Sequence, residues 1–135
     1  MTVCPTCSQR VPDVARRSWS ATIPMKVTTS NGYVVNHGAS RWKYKQARND
    51  WEAWFAAKFR EARGAETFRR VTFVRLYSGR EREFDYANLV GGMKPVVDAM
   101  KNVGLIVDDA TRWLEDHYKQ KRADESGLHV TIEEF

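Results

Sequence analysis

The sequence predicts an α+β fold, a small mixed β-sheet with two main helices packed on it. Three observations predict it. Apolar residues alternate with polar ones around residue 20, and an apolar stripe at three- and four-residue steps fills 41–63. A run rich in β-branched and aromatic residues at 68–78 then leads into a second helical stripe at 93–103. A chain of 135 residues suits one domain, and a composition 42% hydrophobic and 12% aromatic is too apolar for a disordered chain.

Residues 1–17 carry Pro5, Pro12 and charge without periodicity and are read as an extension; the domain proper spans 18–135. Trp19, Ala21 and Ile23 alternate with polar neighbours, the period of a half-buried strand over 18–25, and Pro24 closes it. Residues 26–40 hold Asn31-Gly32 and His37-Gly38 around Tyr33, Val34 and Val35, which predicts a loop or a small hairpin. Tyr44, Ala47, Trp51, Trp54, Phe55, Phe59 and Ala62 then mark one face of a long amphipathic helix stopped by Gly64, and that stripe is expected in the core.

Val71, Thr72, Phe73, Val74 and Tyr77 predict a second strand over 68–78, with a turn at Ser78-Gly79. Met93, Val96, Val97, Met100 and Val103 predict a helix beginning near Lys94, since Pro95 is tolerated only in a first turn, and ending at Gly104. Residues 112–121 and 128–132 read as two strands around a turn at 124–127, although 113–120 also fits a helix. There is no internal repeat and no low-complexity tract.

The 22 Lys and Arg against 17 Asp and Glu give a net charge of +5, which suits a polyanionic partner. The distribution is more specific. Arg41 to Phe84 holds 12 basic and 6 acidic residues, whereas Asp108 to Phe135 holds 4 basic and 8 acidic. A basic middle and an acidic end fit one face that grips phosphate and another where carboxylates collect. No apolar run approaches the roughly 18 residues of a membrane span and no apolar core of a signal peptide opens the chain, so a cytoplasmic protein with no membrane partner is expected. The two cysteines form one C-x-x-C, Cys4-Pro5-Thr6-Cys7, which is half of a tetrahedral zinc site. The other half would come from a second subunit or from a histidine such as His37; an extension without zinc fits as well.

The chemistry-bearing stretch is Phe84-Asp85-Tyr86-Ala87-Asn88-Leu89, then Lys94 through Asp98-Ala99-Met100, then Gly104-Leu105-Ile106-Val107-Asp108-Asp109. An acid at a strand end, a lysine opening a helix and an acidic pair after it can converge on one site. Carboxylates beside a basic surface are the hard oxygen donors that Mg²⁺ prefers. The plainer alternatives are that Asp85 caps a helix and Asp108-Asp109 forms a turn. The arrangement resembles the RusA-type Holliday junction resolvases, closely over Asp85 to Asp109 and loosely elsewhere.

That resemblance implies a structure-selective endonuclease of phage or bacterial origin. It would hydrolyse phosphodiesters in four-way DNA junctions with Mg²⁺ or Mn²⁺ and act as a homodimer, one active site for each symmetric cut. It assigns Asp85 and Asp109 as catalytic aspartates and metal ligands, Asp108 and Asp98 as supporting acids, and Lys94 as the catalytic lysine. Asp98, four residues after Lys94, would equally pair with it. Ala87 stands where the pattern carries a second catalytic aspartate. A methyl group cannot hold a metal, so weak metal binding and little or no cleavage are expected, with a non-catalytic branched-DNA-binding protein as the alternative function. An introduced Asp-to-Ala change and a naturally inactive relative both fit; the intact neighbouring motif favours the first. Val90-Gly91-Gly92 lengthens the motif and is expected to let backbone approach DNA or to let Lys94 reach the metal site, with a plain turn as the alternative.

For DNA contact the candidates are Arg41, Lys43, Lys45 and Arg48 at the start of the long helix, with Asn31 and His37 before it and Trp42 or Tyr44 to stack on an unpaired base. Arg75 is added from the second strand, with Arg69, Arg70, Arg80 and Arg82 as further candidates.

Overall fold

The computed structural model describes residues 14–29 and 41–135 in full, and only the backbone of residues 2–3, 10–11 and 37–40. Its order is β1 (Thr2–Val3), β2 (Arg10–Val11), β3 (Arg17–Ile23), α1 (His37–Lys58), a 3₁₀ turn (Arg60–Ala62), β4 (Arg69–Tyr77), α2 (Tyr86–Gly92), α3 (Lys94–Asn102), β5 (Leu114–Arg122) and β6 (Gly127–Glu134). β1 and β2 form a two-residue antiparallel ladder. The other four strands form one mixed sheet in the order β3-β6-β4-β5, and with its helices this is the expected α+β fold.

The sheet is antiparallel except at β4–β5, which run parallel from Arg69 beside Leu114 to Tyr77 beside Arg122. A parallel pair requires a long crossover, and α2 and α3 supply it. Residues 112–121 and 128–132 are strands, as the first of the two readings expects, yet they do not pair with each other. β6 instead lies between β3 and β4, and β5 becomes an edge. Among the described residues no helix is long and apolar enough to cross a membrane.

The aromatic stripe of the long helix is core from its middle onward. Trp51, Phe55 and Phe59 are buried and in ring contact along the helix, at 5.9 and 6.2 Å between centroids. They share one core cluster with Val96, Ala99 and Met100 of α3 and with the inward row Val71, Phe73, Val130 and Ile132 of the sheet. Each such side chain contributes about 1.5–3 kcal/mol by leaving water. Gly104 ends α3 at φ +81°, the left-handed conformation expected of its C-terminal stop.

Two elements depart from expectation. The long helix runs from His37 to Lys58, opening inside the expected loop and stopping short of Gly64, with the 3₁₀ turn between; the other is the glycine pair. Val90-Gly91-Gly92 is not a plain turn but the last turn of α2. Gly92 does permit a close approach, to the chain itself: a Cβ there would lie 1.9 Å from the Thr28 carbonyl oxygen. The segment after β3 is thereby seated against the junction of α2 and α3.

Two of the three buried charged side chains among the described residues, Arg69 and Glu134, lie together at one end of the sheet. Arg69 is buried and donates to the carbonyls of Ala62, at 2.5 Å, and Leu105, at 2.9 Å, which satisfies two loop carbonyls. It also lies 3.7 Å from Glu134, whose carboxylate accepts from Arg17 and from Thr67. Burial pushes the Glu134 carboxyl upward, but the Arg17 and Thr67 hydrogen bonds and the Arg69 charge outweigh it, so its pKa falls below the ordinary range.

Candidate functional site

The crossover begins with a rigid approach. Gln120 of β5 uses both ends of its side-chain amide on Phe84: its Oε1 accepts the Phe84 N–H at 2.8 Å and its Nε2 donates to the Phe84 carbonyl at 2.8 Å. The amide thus imitates one rung of a neighbouring strand. The Arg75 guanidinium lies 3.4 Å from the centroid of the Phe84 ring and donates to Gln120 Oε1 and the Arg82 carbonyl, each at 2.9 Å. Burial pushes the Arg75 pKa down, with Glu81 opposing, and the guanidinium stays charged.

Asp85 follows as the N-cap of α2. One carboxylate oxygen accepts the Asn88 N–H at 2.8 Å and the other accepts from the Asn88 side-chain amide at 2.9 Å. Tyr86 is 68% exposed at the first helical position, and Ala87, next to it, is also exposed.

Beyond the cap lies a cavity of about 200 Å³ between the crossover and the edge strand. The helical side contributes Val90, Lys94, Val97 and Asp98, and the strand side Leu114, Asp116 and Tyr118, with Asp109 from the connecting loop. The helical residues follow three- and four-residue steps although α2 and α3 are separate, because Met93 between them keeps a helical φ of −83° and ψ of −6°. Ala87 is three residues before Val90 on the same stripe.

Most of the acids already have partners. Tyr44 donates its hydroxyl to Asp98, which carries α1 to the cavity, so Asp98 is not the ion-pair partner of Lys94. Tyr118, stacked on Phe73 at 5.3 Å, donates to Asp116 at 2.5 Å. Burial and that carboxylate push the Tyr118 phenol far above its usual pKa, so it remains a donor at every physiological pH. Asp108 pairs with Lys101 at 3.1 Å and accepts the Asp109 N–H at 2.7 Å. The Lys101 contact holds the Asp108 carboxyl below the ordinary range and raises Lys101. Lys94 is exposed and makes no ion pair among the described residues.

Of the residues assigned by the resemblance, Lys94, Asp98 and Asp109 therefore meet at one cavity. Asp85 and Asp108 do not line it; their carboxylates serve as a helix cap and as the partner of Lys101. Asp116, Tyr118 and Gln120 were missed, although the strand reading of 112–121 already puts Leu114, Asp116, Tyr118 and Gln120 on one face at period two. The donors are the hard oxygens a divalent cation requires, but among the described residues no three His, Cys, Asp or Glu side chains converge on a common point.

The surface cations divide. Arg41, Lys43 and Lys45 are exposed on α1, while Arg48 lies 3.7 Å from Glu52, one turn along. Arg75 and Arg69 are corrections: both are buried and committed to internal carbonyls, rings and carboxylates, so neither offers a guanidinium to phosphate. Arg70 pairs with Glu115 on the same sheet. Asn31, the side chain of His37, and Cys4 and Cys7 with their possible zinc lie outside the described residues. The chain matches no protein-family model and no curated protein.

Proposed function

We propose that the chain is a branched-DNA-binding protein built on the framework of a RusA-type junction endonuclease, with its cleavage chemistry disabled at position 87. The observation that carries this reading is the cavity itself. Lys94 and Asp109, fifteen positions apart and assigned to one site by the motif, line the same 200 Å³ space, and Ala87 precedes it by one helical turn. Lys94 is the group that meets a phosphate there, by charge and as a three-proton donor. The exposed Arg41, Lys43 and Lys45 add sequence-independent attraction to a DNA backbone.

No hydrolytic step is assigned to the chain as written. With Asp98 and Asp116 engaged by tyrosine hydroxyls, the non-catalytic reading describes this form. The endonuclease reading applies once a carboxylate is restored at position 87, supplying an oxygen donor one turn before Val90 of the cavity lining. A homodimer would place two such sites on a symmetric four-way junction.

The test is Ala87→Asp assayed on a four-way junction with Mg²⁺ or Mn²⁺. Paired symmetric nicks by the restored protein, with the original chain binding the junction and leaving it intact, are expected. A restored protein that binds the junction and does not cut it would refute the endonuclease framework and leave a binding protein.

A further inference from the structure

The backbone around Tyr86 is held on both sides, yet its ring is left in water. Before it, Phe84 is fixed by two 2.8 Å hydrogen bonds exchanged with the Gln120 amide and by the Arg75 guanidinium on its ring. After it, the Asp85 carboxylate closes on Asn88 with bonds of 2.8 and 2.9 Å. Between these restraints the Tyr86 side chain stays 68% exposed. Folding gains little from burying this ring, so packing does not account for an aromatic residue here.

Its position is defined in two ways. Tyr86 is four residues before Val90 and eight before Lys94, one and two turns along the stripe that lines the cavity. Its phenol is also close enough to Tyr118, on the opposite wall, for the two to interact electrostatically. By this spacing the ring precedes the cavity lining by one helical turn and Lys94 by two.

We propose that Tyr86 is a pre-fixed stacking platform for an unpaired nucleobase whose neighbouring phosphate is held at Lys94. This rests on the branched-DNA reading and deepens it, since it specifies a nucleotide lifted out of the helical stack at the branch rather than the phosphates of intact duplex. A duplex offers its cavity-facing phosphates with the bases stacked inside, where an exposed ring on a protein helix cannot reach a π-face. A strand exchanging between arms offers both. Because the backbone of Tyr86 is already ordered, stacking costs only the restriction of one ring.

The experiment measures the affinity of the full chain for a four-way junction and for a fully paired duplex of the same length, using wild type, Tyr86→Ala and Tyr86→Phe. Tyr86→Ala is expected to weaken junction binding about tenfold and duplex binding less than twofold, with Tyr86→Phe close to wild type, as stacking contributions of this kind imply. A junction carrying 2-aminopurine at the branch supplies the second readout: its fluorescence should be quenched on binding wild type and Tyr86→Phe, and brighter with Tyr86→Ala. Equal junction affinities for wild type and Tyr86→Ala, or equal losses on junction and duplex, overturn the proposal while the branched-DNA reading stands. A wild-type chain without preference for junction over duplex overturns both.

Discussion

Replacing Gln120 with leucine separates the scaffold of the site from its chemistry. Gln120→Leu keeps the volume and removes three hydrogen bonds: two to the backbone of Phe84 and one from Arg75. Neutral bonds of this kind contribute about 1 kcal/mol each and one to a charged donor about 2 kcal/mol. Water can reach the half-buried Phe84 backbone and recover part of that, whereas Arg75 keeps Arg82 and the ring of Phe84. The expected net loss is about 2–4 kcal/mol, which for a domain of this size lowers Tm by roughly 6–12 °C. Thermal unfolding measures the loss, and hydrogen exchange locates it, since the Phe84 amide should lose its protection while the amides of β6 keep theirs. A Tm within ~2 °C of wild type together with an unchanged Phe84 amide would refute the reasoning, because the amide rung would then contribute nothing.

Two further outcomes follow from the charged groups. Glu134 has a lowered pKa, so the native state binds fewer protons than the unfolded chain; its stabilisation is complete above its ordinary pKa of 4.5 and is lost as pH falls through the lower native value. Thermal unfolding between pH 6 and 3, a range of about three units around that value, should therefore show a steeper acid loss for wild type than for Glu134→Gln, and parallel curves would contradict the assignment. Among the arginines and lysines, Lys45→Ala should reduce the salt dependence of DNA binding by about one unit of slope, whereas Arg75→Met should lower stability and leave that slope unchanged; a binding titration against salt that shows the reverse would return Arg75 to the DNA surface.

Much of this molecule was legible because its periodicities are unmixed. The 3.6-residue stripe through Trp51, Phe55 and Phe59 and the period-two run through Val71 and Phe73 each have one structural solution. Arg69 and Arg75 were misplaced because charge was weighed above parity. They share the odd positions of Val71 and Phe73 and so face inward, where loop carbonyls, Phe84 and Gln120 receive them. α2 was hidden by Gly91 and Gly92, residues of low helix propensity that are retained here since the second must clear the Thr28 carbonyl. Sheet order was illegible for a different reason. It depends on which strands meet across long separations, and nothing local in 112–132 distinguishes a hairpin from two strands divided by β4. At the site, the motif led to Lys94 and Asp109, while Asp116 and Tyr118 are visible only once β5 is placed beside the crossover.

The central position of β6 has a consequence for how the protein comes into being. β3 and β4 share no ladder with each other; each is bonded to β6, from Arg17 beside Glu134 on one side to Arg69 beside the same residue on the other. During synthesis, residues 17–122 must therefore wait with β3 unpaired and one edge of β4 open. Loop closure across more than a hundred positions then falls to β6, which makes folding slow relative to helical proteins of equal length. Until residues 127–134 have left the ribosome, the cavity lining and the β4–β5 ladder exist without the strand that joins them to β3.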